Sequence, residues 1–238
     1  MFETVKSVWY MVKVYFETKP IFRRARKMPE KDSWQVGYDY LYVHTAELMK
    51  QTGSHIVFHG LENIPERKDW ETGILFVGNH QSYFDIPVLL SVMERPTAFV
   101  AKKELSHVPF VGGMMRCIGC VLINRKDLRQ SMDAIKVTSE RLEKGLNMII
   151  FPEGTRSKSE EMGEFKKGSI KAATNIGASI VPFRISHLAD VFEANKGFKI
   201  VPRQVDIYFG EPIETSEMSK KDQRFLADHM KEIVQSLH

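Results

Sequence analysis

An α/β fold with a mostly parallel central sheet flanked by helices, preceded by a two-helix hairpin, is the fold class this chain predicts. Three observations predict it. Short β-branched or apolar runs recur after Gly53, helix-like stretches separate several of them, and two aromatic-rich stripes at helical spacing precede the first run. The helices come first. Val5, Val8, Trp9, Val12, Tyr15 and Phe16 follow the i, i+3, i+4, i+7 rhythm of one helical face. Pro20 and a basic cluster, Arg23, Arg24, Arg26 and Lys27, then break that pattern. Trp34, Tyr38, Leu41, Tyr42, Thr45 and Leu48 form a second stripe, stopped near Gly53. The boundary expected from this change of texture divides residues 1–52, an amphipathic hairpin, from residues 53–238, the α/β domain.

The strand-like runs are Ile56 to Phe58, Ile74 to Val77, Thr97 to Val100, Val121 to Ile123, Met148 to Phe151, Ile180 to Phe183 and Val205 to Phe209. Asp127 to Lys144 and Lys167 to Ile176 read as helices, with Gly145 and Gly177 where helix stops are expected. Ser216 to His238 reads as a charged surface helix.

Composition narrows the function classes. A chain of 238 residues with 43% hydrophobic and 27% charged residues suits one α/β domain with room for an appendage. The net charge of +4 is mild, but its clustering beside apolar helices favours an anionic lipid surface over nucleic acid, for which no motif is present. No signal-peptide apolar region opens the chain, and no eighteen apolar residues run consecutively, so a spanning helix is not expected. The hairpin either packs on the domain or lies in a membrane interface; its tryptophans and arginines favour the interface. Cys117 and Cys120, the only cysteines, are spaced C-x-x-C without a second pair to close a zinc site. They read as small buried thiols in a reducing cytoplasm, with a redox dithiol as the alternative. His44, His55 and His59 form no metal-ligand motif, and no metal is implied. Gly163 to Ser169 (GEFKKGS) lacks the lysine that a phosphate-binding P-loop needs after its second glycine.

Two motifs carry the chemistry. Asn79-His80-Gln81-Ser82-Tyr83-Phe84-Asp85 follows the run Ile74-Leu75-Phe76-Val77, and Phe151-Pro152-Glu153-Gly154-Thr155-Arg156 continues from Met148-Ile149-Ile150. On one continuous helix, His80 and Asp85 would stand roughly 140° apart, so they meet only if the chain turns between them. Gly78 and Pro87 support such a turn, with Pro87 in the first turn of a helix and Asp85 as a natural N-cap. A neutral imidazole oriented by a carboxylate can deprotonate a hydroxyl. No G-x-S-x-G elbow is present, so direct transfer is preferred over a covalent enzyme intermediate. Gly154 lets backbone amides approach an anion, and Arg156 offers a planar fork to phosphate.

Together these motifs resemble the glycerolipid acyltransferase family, most closely the 1-acylglycerol-3-phosphate acyltransferases. Lys102-Lys103-Glu104-Leu105, Pro109, Gly112, Gly119, Ile123 and Arg125 are similar to the family's second block, and Val181-Pro182-Phe183 to its fourth. Over roughly residues 55 to 215, the resemblance implies a catalytic pair, His80 and Asp85. It places Lys102 on the oxyanion or acyl-donor side; Lys103 could hold the same position, though spacing to Leu105 favours Lys102. Arg125, Glu153, Gly154, Thr155 and Arg156 would bind the acceptor phosphate, with Glu153 orienting Arg156 or binding acceptor hydroxyls. Val181, Pro182 and Phe183 would line an acyl tunnel. The implied reaction acylates the sn-2 hydroxyl of lysophosphatidic acid to phosphatidic acid, without a cofactor. The co-substrate would be acyl-CoA or acyl-carrier protein, and the enzyme a monotopic or peripheral protein on the cytoplasmic face of a membrane. The glycerol-3-phosphate acyltransferases are less similar, since they usually carry arginine where Gln81 stands. Another lysophospholipid or a lyso-aminolipid is the alternative acceptor. A silent lipid-binding protein on the same fold is the alternative class, opposed by the presence of His80, Asp85 and Arg156 together.

Overall fold

The computed structural model describes residues 2–68, 70–108, 111–124, 127–197 and 199–238. Seven strands form one sheet: β1 (His55–His59), β2 (Leu75–Gly78), β3 (Thr97–Lys102), β4 (Val121–Ile123), β5 (Asn147–Ile150), β6 (Ile180–Ser186) and β7 (Gln204–Phe209). Their order across the sheet is β1-β7-β6-β2-β5-β3-β4. β2 and β6 are buried almost throughout, which is why they read as unbroken apolar runs rather than alternating ones. Every pairing is parallel except β6 with β7, so the β7–β1 pair at one edge runs against the other five strands. The expected mostly parallel sheet is therefore what forms, with each predicted run at its core.

Pro182 lies inside β6, where a missing N–H ordinarily breaks a ladder. Its carbonyl accepts from Gly210 N at 2.8 Å, one residue past the end of β7. Since both main-chain groups of a strand residue face the same side, the absent donor falls where β7 has already ended.

The hairpin forms from α1 (Phe2–Ala25) and α2 (Glu30–Gln51), and it departs from expectation in two ways. Pro20 does not stop α1, which continues to Ala25; Thr18 Oγ1 donates to Val14 O and Tyr15 O in the turn just before it. The two stripes also meet different fates. Trp34, Tyr38, Leu41, Thr45 and Met49 of α2 are buried, and Tyr38 Oη donates to Met93 O at 2.5 Å. Phe2, Val5, Val8, Trp9, Val12 and Phe16 of α1 face outward, Trp9 being 72% exposed against 2% for Trp34. α1 thus offers an outward apolar row.

The direction of the hairpin also places the basic cluster. Thr4 Oγ1 accepts from Ile200 N just ahead of β7, whereas Glu30 pairs with Arg141 and Lys144 just ahead of β5. Because β7 opposes β6, β2 and β5 in direction, those two points lie at opposite ends of the sheet. The hairpin therefore runs along the strands, with the outward apolar row toward the end where β2 finishes. The turn carrying Arg23, Arg24, Arg26 and Lys27 sits at the other end.

Four shorter or later helices complete the layers: α3 (Asp85–Leu90), α4 (Val111–Cys117), α5 (Leu128–Glu143) and α6 (Lys171–Thr174), followed by α7 (Lys220–Ser236). Asp127 caps α5 by accepting from Gln130 N, and Gly145 ends that stretch at φ 92°. The stretch expected as a helix from Lys167 is a 3-10 turn, Lys167–Ile170, running into the four residues of α6. α7 buries Leu226, Met230 and Val234, so it is amphipathic rather than purely a surface helix. α4 has no counterpart in the sequence reading, its two glycines and short length hiding the pattern. It buries Cys117, whose Sγ lies 3.5 Å from Phe22 O. Both cysteines are free, and burial raises both thiols, Cys120 to about 12, which fits packing rather than redox chemistry.

Candidate active site

β2 delivers the site's first motif. Gly78 closes the strand so tightly that an added Cβ would lie 2.4 Å from Phe183 O, which excludes any larger residue without a backbone shift. Asn79 then clamps the chain to β6 in two directions, donating from Nδ2 to Ile185 O and accepting at Oδ1 from Ile185 N, both at 2.8 Å. Gln81, fully buried, accepts from Leu188 N at 3.1 Å and donates to Glu160 at 3.0 Å. The residues on either side of His80 are thereby locked to β6 and to the chain that follows it.

His80 itself is fixed at backbone and ring. Its N–H donates to Glu153 Oε1 at 2.7 Å, and its carbonyl accepts from Ser157 N at 2.8 Å. The imidazole stacks on Phe151 at 4.1 Å between centroids, and Nδ1 lies 2.5 Å from Asp85 Oδ2. Asp85 has no solvent exposure. Its carboxylate does not cap α3 forward, as the sequence suggested, but turns back onto the loop. Oδ2 accepts from Gln81 N at 2.7 Å, and both oxygens accept from Ser82 N at 3.1 Å. Burial pushes this carboxyl up, while His80 and the amides of Ser82 and Gln81 pull it down. An acceptor-only carboxylate on Nδ1 requires the proton there, leaving Nε2 as the basic nitrogen.

The second motif begins where β5 ends. Glu153 is the residue that holds the two motifs together: besides His80 N, it accepts from Gly163 N at 2.8 Å. Burial raises its carboxyl, opposed by those two amide bonds. With one oxygen on His80 N and the other on Gly163 N, its position supports the His80 loop. Gly154 adopts φ 77° and Thr155 is exposed on the turn. Arg156 lies flat over Tyr83, its guanidinium carbon 3.4 Å from the ring centroid, and Nη1 donates to Glu193 Oε1 at 3.0 Å.

The other expected residues are placed less tightly. Lys102, at the end of β3, is exposed and its Nζ lies 3.8 Å from Glu104. Lys103 opens the 3-10 turn that follows. Arg125 lies outside the described residues. Val181, Pro182 and Phe183 are buried in β6, and Phe183 meets Phe151 edge-on at 5.9 Å. An apolar cleft of about 140 Å³ opens at Phe151, lined among others by Val100, Ile123, Ile135, Ile150 and Pro152. Its walls come from β3, β4, β5, α5 and the loop from Phe151; Phe183 packs against Phe151, and none of the three β6 residues lines this cleft.

Sequence reasoning missed Glu193. It lies 37 residues beyond Arg156 in a loop, and only the long connection between β6 and β7 brings it to the site. No local pattern announces such a contact. Among the described residues, no group of three or more His, Cys, Asp or Glu is arranged to hold a metal ion.

An imidazole held by a buried carboxylate, standing beside an apolar cleft and an arginine at the finishing end of parallel strands, suits acyl transfer to a hydroxyl. The family model described as Acyltransferase matches residues 55–186, more than half of the sequence. The chain belongs to the acyltransferase family. It is similar to the 1-acyl-sn-glycerol-3-phosphate acyltransferase LPAT1, chloroplastic, of Arabidopsis thaliana, at 33% identity over 162 residues, 68% of this chain and 44% of that protein. A probable 1-acyl-sn-glycerol-3-phosphate acyltransferase of Mycoplasma pneumoniae is 28% identical over 231 residues, 90% of this chain and 83% of that one. The crystal structure of the 1-acyl-sn-glycerophosphate (LPA) acyltransferase PlsC from Thermotoga maritima shares the fold with a TM-score of 0.79 and 27% identity, covering 98% of this chain and 92% of that one. The chain thus spans less than half the length of the plant relative and most of the two bacterial ones.

Proposed function

We propose that the protein transfers a fatty acyl group from an acyl thioester to the sn-2 hydroxyl of 1-acylglycerol-3-phosphate, forming phosphatidic acid. The observation that carries the reading is the 2.5 Å contact between His80 Nδ1 and the fully buried Asp85, which leaves Nε2 as the base. His80 takes the hydroxyl proton as the oxygen attacks the thioester carbonyl. Asp85 stabilises the imidazolium that develops. Collapse of the tetrahedral intermediate breaks the C–S bond, and the proton on His80 passes to the departing thiolate. No enzyme nucleophile is needed. Arg156, with Gly154 and Thr155 on its turn and Arg125 from the resemblance, binds the acceptor phosphate; Lys102 serves the oxyanion or donor side. The apolar cleft at Phe151 is smaller than typical ligand pockets of roughly 300–1,000 Å³, so it receives part of an acyl chain. The donor is acyl-CoA or acyl-carrier protein, and no cofactor takes part.

The outward row of α1 supports docking on a membrane surface, which we take to be the cytoplasmic face. No described helix is long and apolar enough to cross one. With α1 lying along the membrane plane, Trp9 and Phe16 would enter the interface, and Arg23 and Arg24 at the far end of the helix would meet anionic headgroups. Since α2 belongs to the core, deleting the hairpin would damage the fold; Trp9→Glu with Phe16→Glu tests docking instead. That double variant should no longer float with anionic liposomes while keeping its melting temperature. Undiminished flotation would place the membrane contact elsewhere.

The decisive test of activity offers the purified protein a panel of lysolipids with both thioester donors and identifies products by mass spectrometry. Phosphatidic acid from lysophosphatidic acid is the expected product. Preferential acylation of another lysophospholipid or a lyso-aminolipid would reassign the acceptor, and no product from any of them would support a silent lipid-binding protein.

A further inference from the structure

Glu193 joins the two halves of the site in a way the proposed chemistry does not use. Its side chain is only 5% exposed, and both of its oxygens are committed. Oε2 accepts from Ser82 Oγ at 2.6 Å. Oε1 is shared by Tyr83 N at 2.7 Å and Arg156 Nη1 at 3.0 Å. Ser82 and Tyr83 lie between His80 and Asp85, so one carboxylate ties the base's loop to the arginine.

Tyr83 adds the second constraint. Its ring, in a residue 61% exposed, supports one face of the guanidinium. An arginine otherwise samples many rotamers, and only some present its fork to an anion. With the plane set by Tyr83 and one nitrogen held by Glu193, Arg156 keeps other N–H groups for a ligand in a single orientation. Glu193 is itself anchored by the Ser82 hydroxyl and the Tyr83 amide, so it is built into the loop rather than being a mobile competitor for the guanidinium. A fixed negative charge beside an anion-binding arginine costs Coulomb attraction. Such a carboxylate is favourable only where ordering the fork outweighs that loss.

We propose that Glu193 is a positioning residue that acts through Arg156, fixing the guanidinium on Tyr83 in the orientation that binds the acceptor's phosphate. This rests on the reading of Arg156 as the phosphate ligand. Its chemistry makes a clear division of effects: loss of Glu193 weakens acceptor capture, leaves the thioester side alone, and matters only while the arginine is there to be oriented.

The test measures acceptor and donor KM and kcat with 1-oleoyl-lysophosphatidic acid and a palmitoyl thioester, in both coenzyme A and carrier-protein forms. Four variants are compared: Glu193→Ala, Glu193→Gln, Arg156→Ala, and Glu193→Ala combined with Arg156→Ala. Losing the order of one rotamer-rich side chain predicts a rise of roughly three- to tenfold in acceptor KM for Glu193→Ala, with kcat and donor KM unchanged. Glu193→Gln, which retains the shape and an oxygen for the loop, should show a smaller rise, and it decides the matter if the alanine variant does not fold. In the Arg156→Ala background the Glu193 effect should disappear. An unchanged or lowered acceptor KM would overturn the inference, a lowered one identifying Glu193 as an anion competitor. A penalty of equal size without Arg156 would also overturn it, by making Glu193 a brace for the Ser82–Tyr83 loop alone. Should Arg156→Ala itself move only the donor constant, the phosphate reading of Arg156 fails, which is distinguishable from failure of Glu193 alone.

Discussion

The two sides of the site are built to different standards. His80 is held through its amide, its carbonyl, its ring nitrogen and its ring face, and Asp85 behind it is sealed from solvent. The cationic side is looser: Lys102 makes one long, exposed pair at 3.8 Å, and Arg156 rests on an exposed tyrosine with one carboxylate contact. The difference matches the tasks proposed for the two sides. Proton transfer tolerates little misplacement, because the base must reach a hydrogen of the reacting hydroxyl. Holding a charged headgroup or a thioester carrier tolerates more, and those partners must enter and leave.

Substitutions that probe this contrast should differ in size accordingly. The largest effect belongs to His80→Ala, which should lower kcat by about 10²- to 10⁴-fold while the melting temperature holds. Asp85→Asn should fall in the same range, since the wrong imidazole tautomer becomes accessible. It should also lower the melting temperature, because the side chain loses part of its grip on Gln81 N and Ser82 N. Wild-type turnover by a folded His80→Ala protein would break the mechanism and, with it, the reason for the rigid side.

Arg156→Lys comes next. The charge stays but the planar fork and the stacking on Tyr83 go, so acceptor KM should rise by roughly tenfold with donor KM unchanged. Initial-rate kinetics with each substrate varied in turn separates the two. A change confined to the donor constant would move Arg156 to the other side of the site.

Lys102→Ala should give the smallest effect. Removing an exposed pair should alter stability by no more than about 0.5 kcal/mol. A modest rise in donor KM is expected, and raised salt should mimic it in the unmodified protein. A collapse of kcat as deep as that of His80→Ala would mean that the loose side takes part in the chemical step, erasing the contrast.

Much of this was legible in the chain because its signals are local. Strands buried on both faces must be apolar at every position, and that leaves Leu75 to Val77 and Ile180 to Phe183 unmistakable. The pairing of His80 with Asp85 could be anticipated because Gly78 and Pro87 mark a turn around them. Periodicity revealed that α1 and α2 each have an apolar face but could not say what covers it: Trp34 lies beneath the domain while Trp9 lies open. Pro20 misled because its cost to a helix is finite and continued helix to Ala25, with Phe22 and Ala25 buried, offsets it. Glu193 was illegible for a different reason. Its meaning comes from groups 110 and 37 residues away, and no spacing rule reaches that far.

The thin inner face of α1 has a consequence for the order in which the molecule comes apart. What that helix buries is Ser7, Val14, Thr18, Phe22 and Ala25, mostly small side chains, whereas α2 buries Trp34, Tyr38, Leu41 and Met49. Local opening free energy follows buried apolar contact, so α1 should detach with less effort than α2. In hydrogen exchange its amides should be replaced by deuterium well before those of α2 or of β2 and β6. Heating should likewise release α1 as a separate early step while the sheet, and the His80–Asp85 pair within it, still stands.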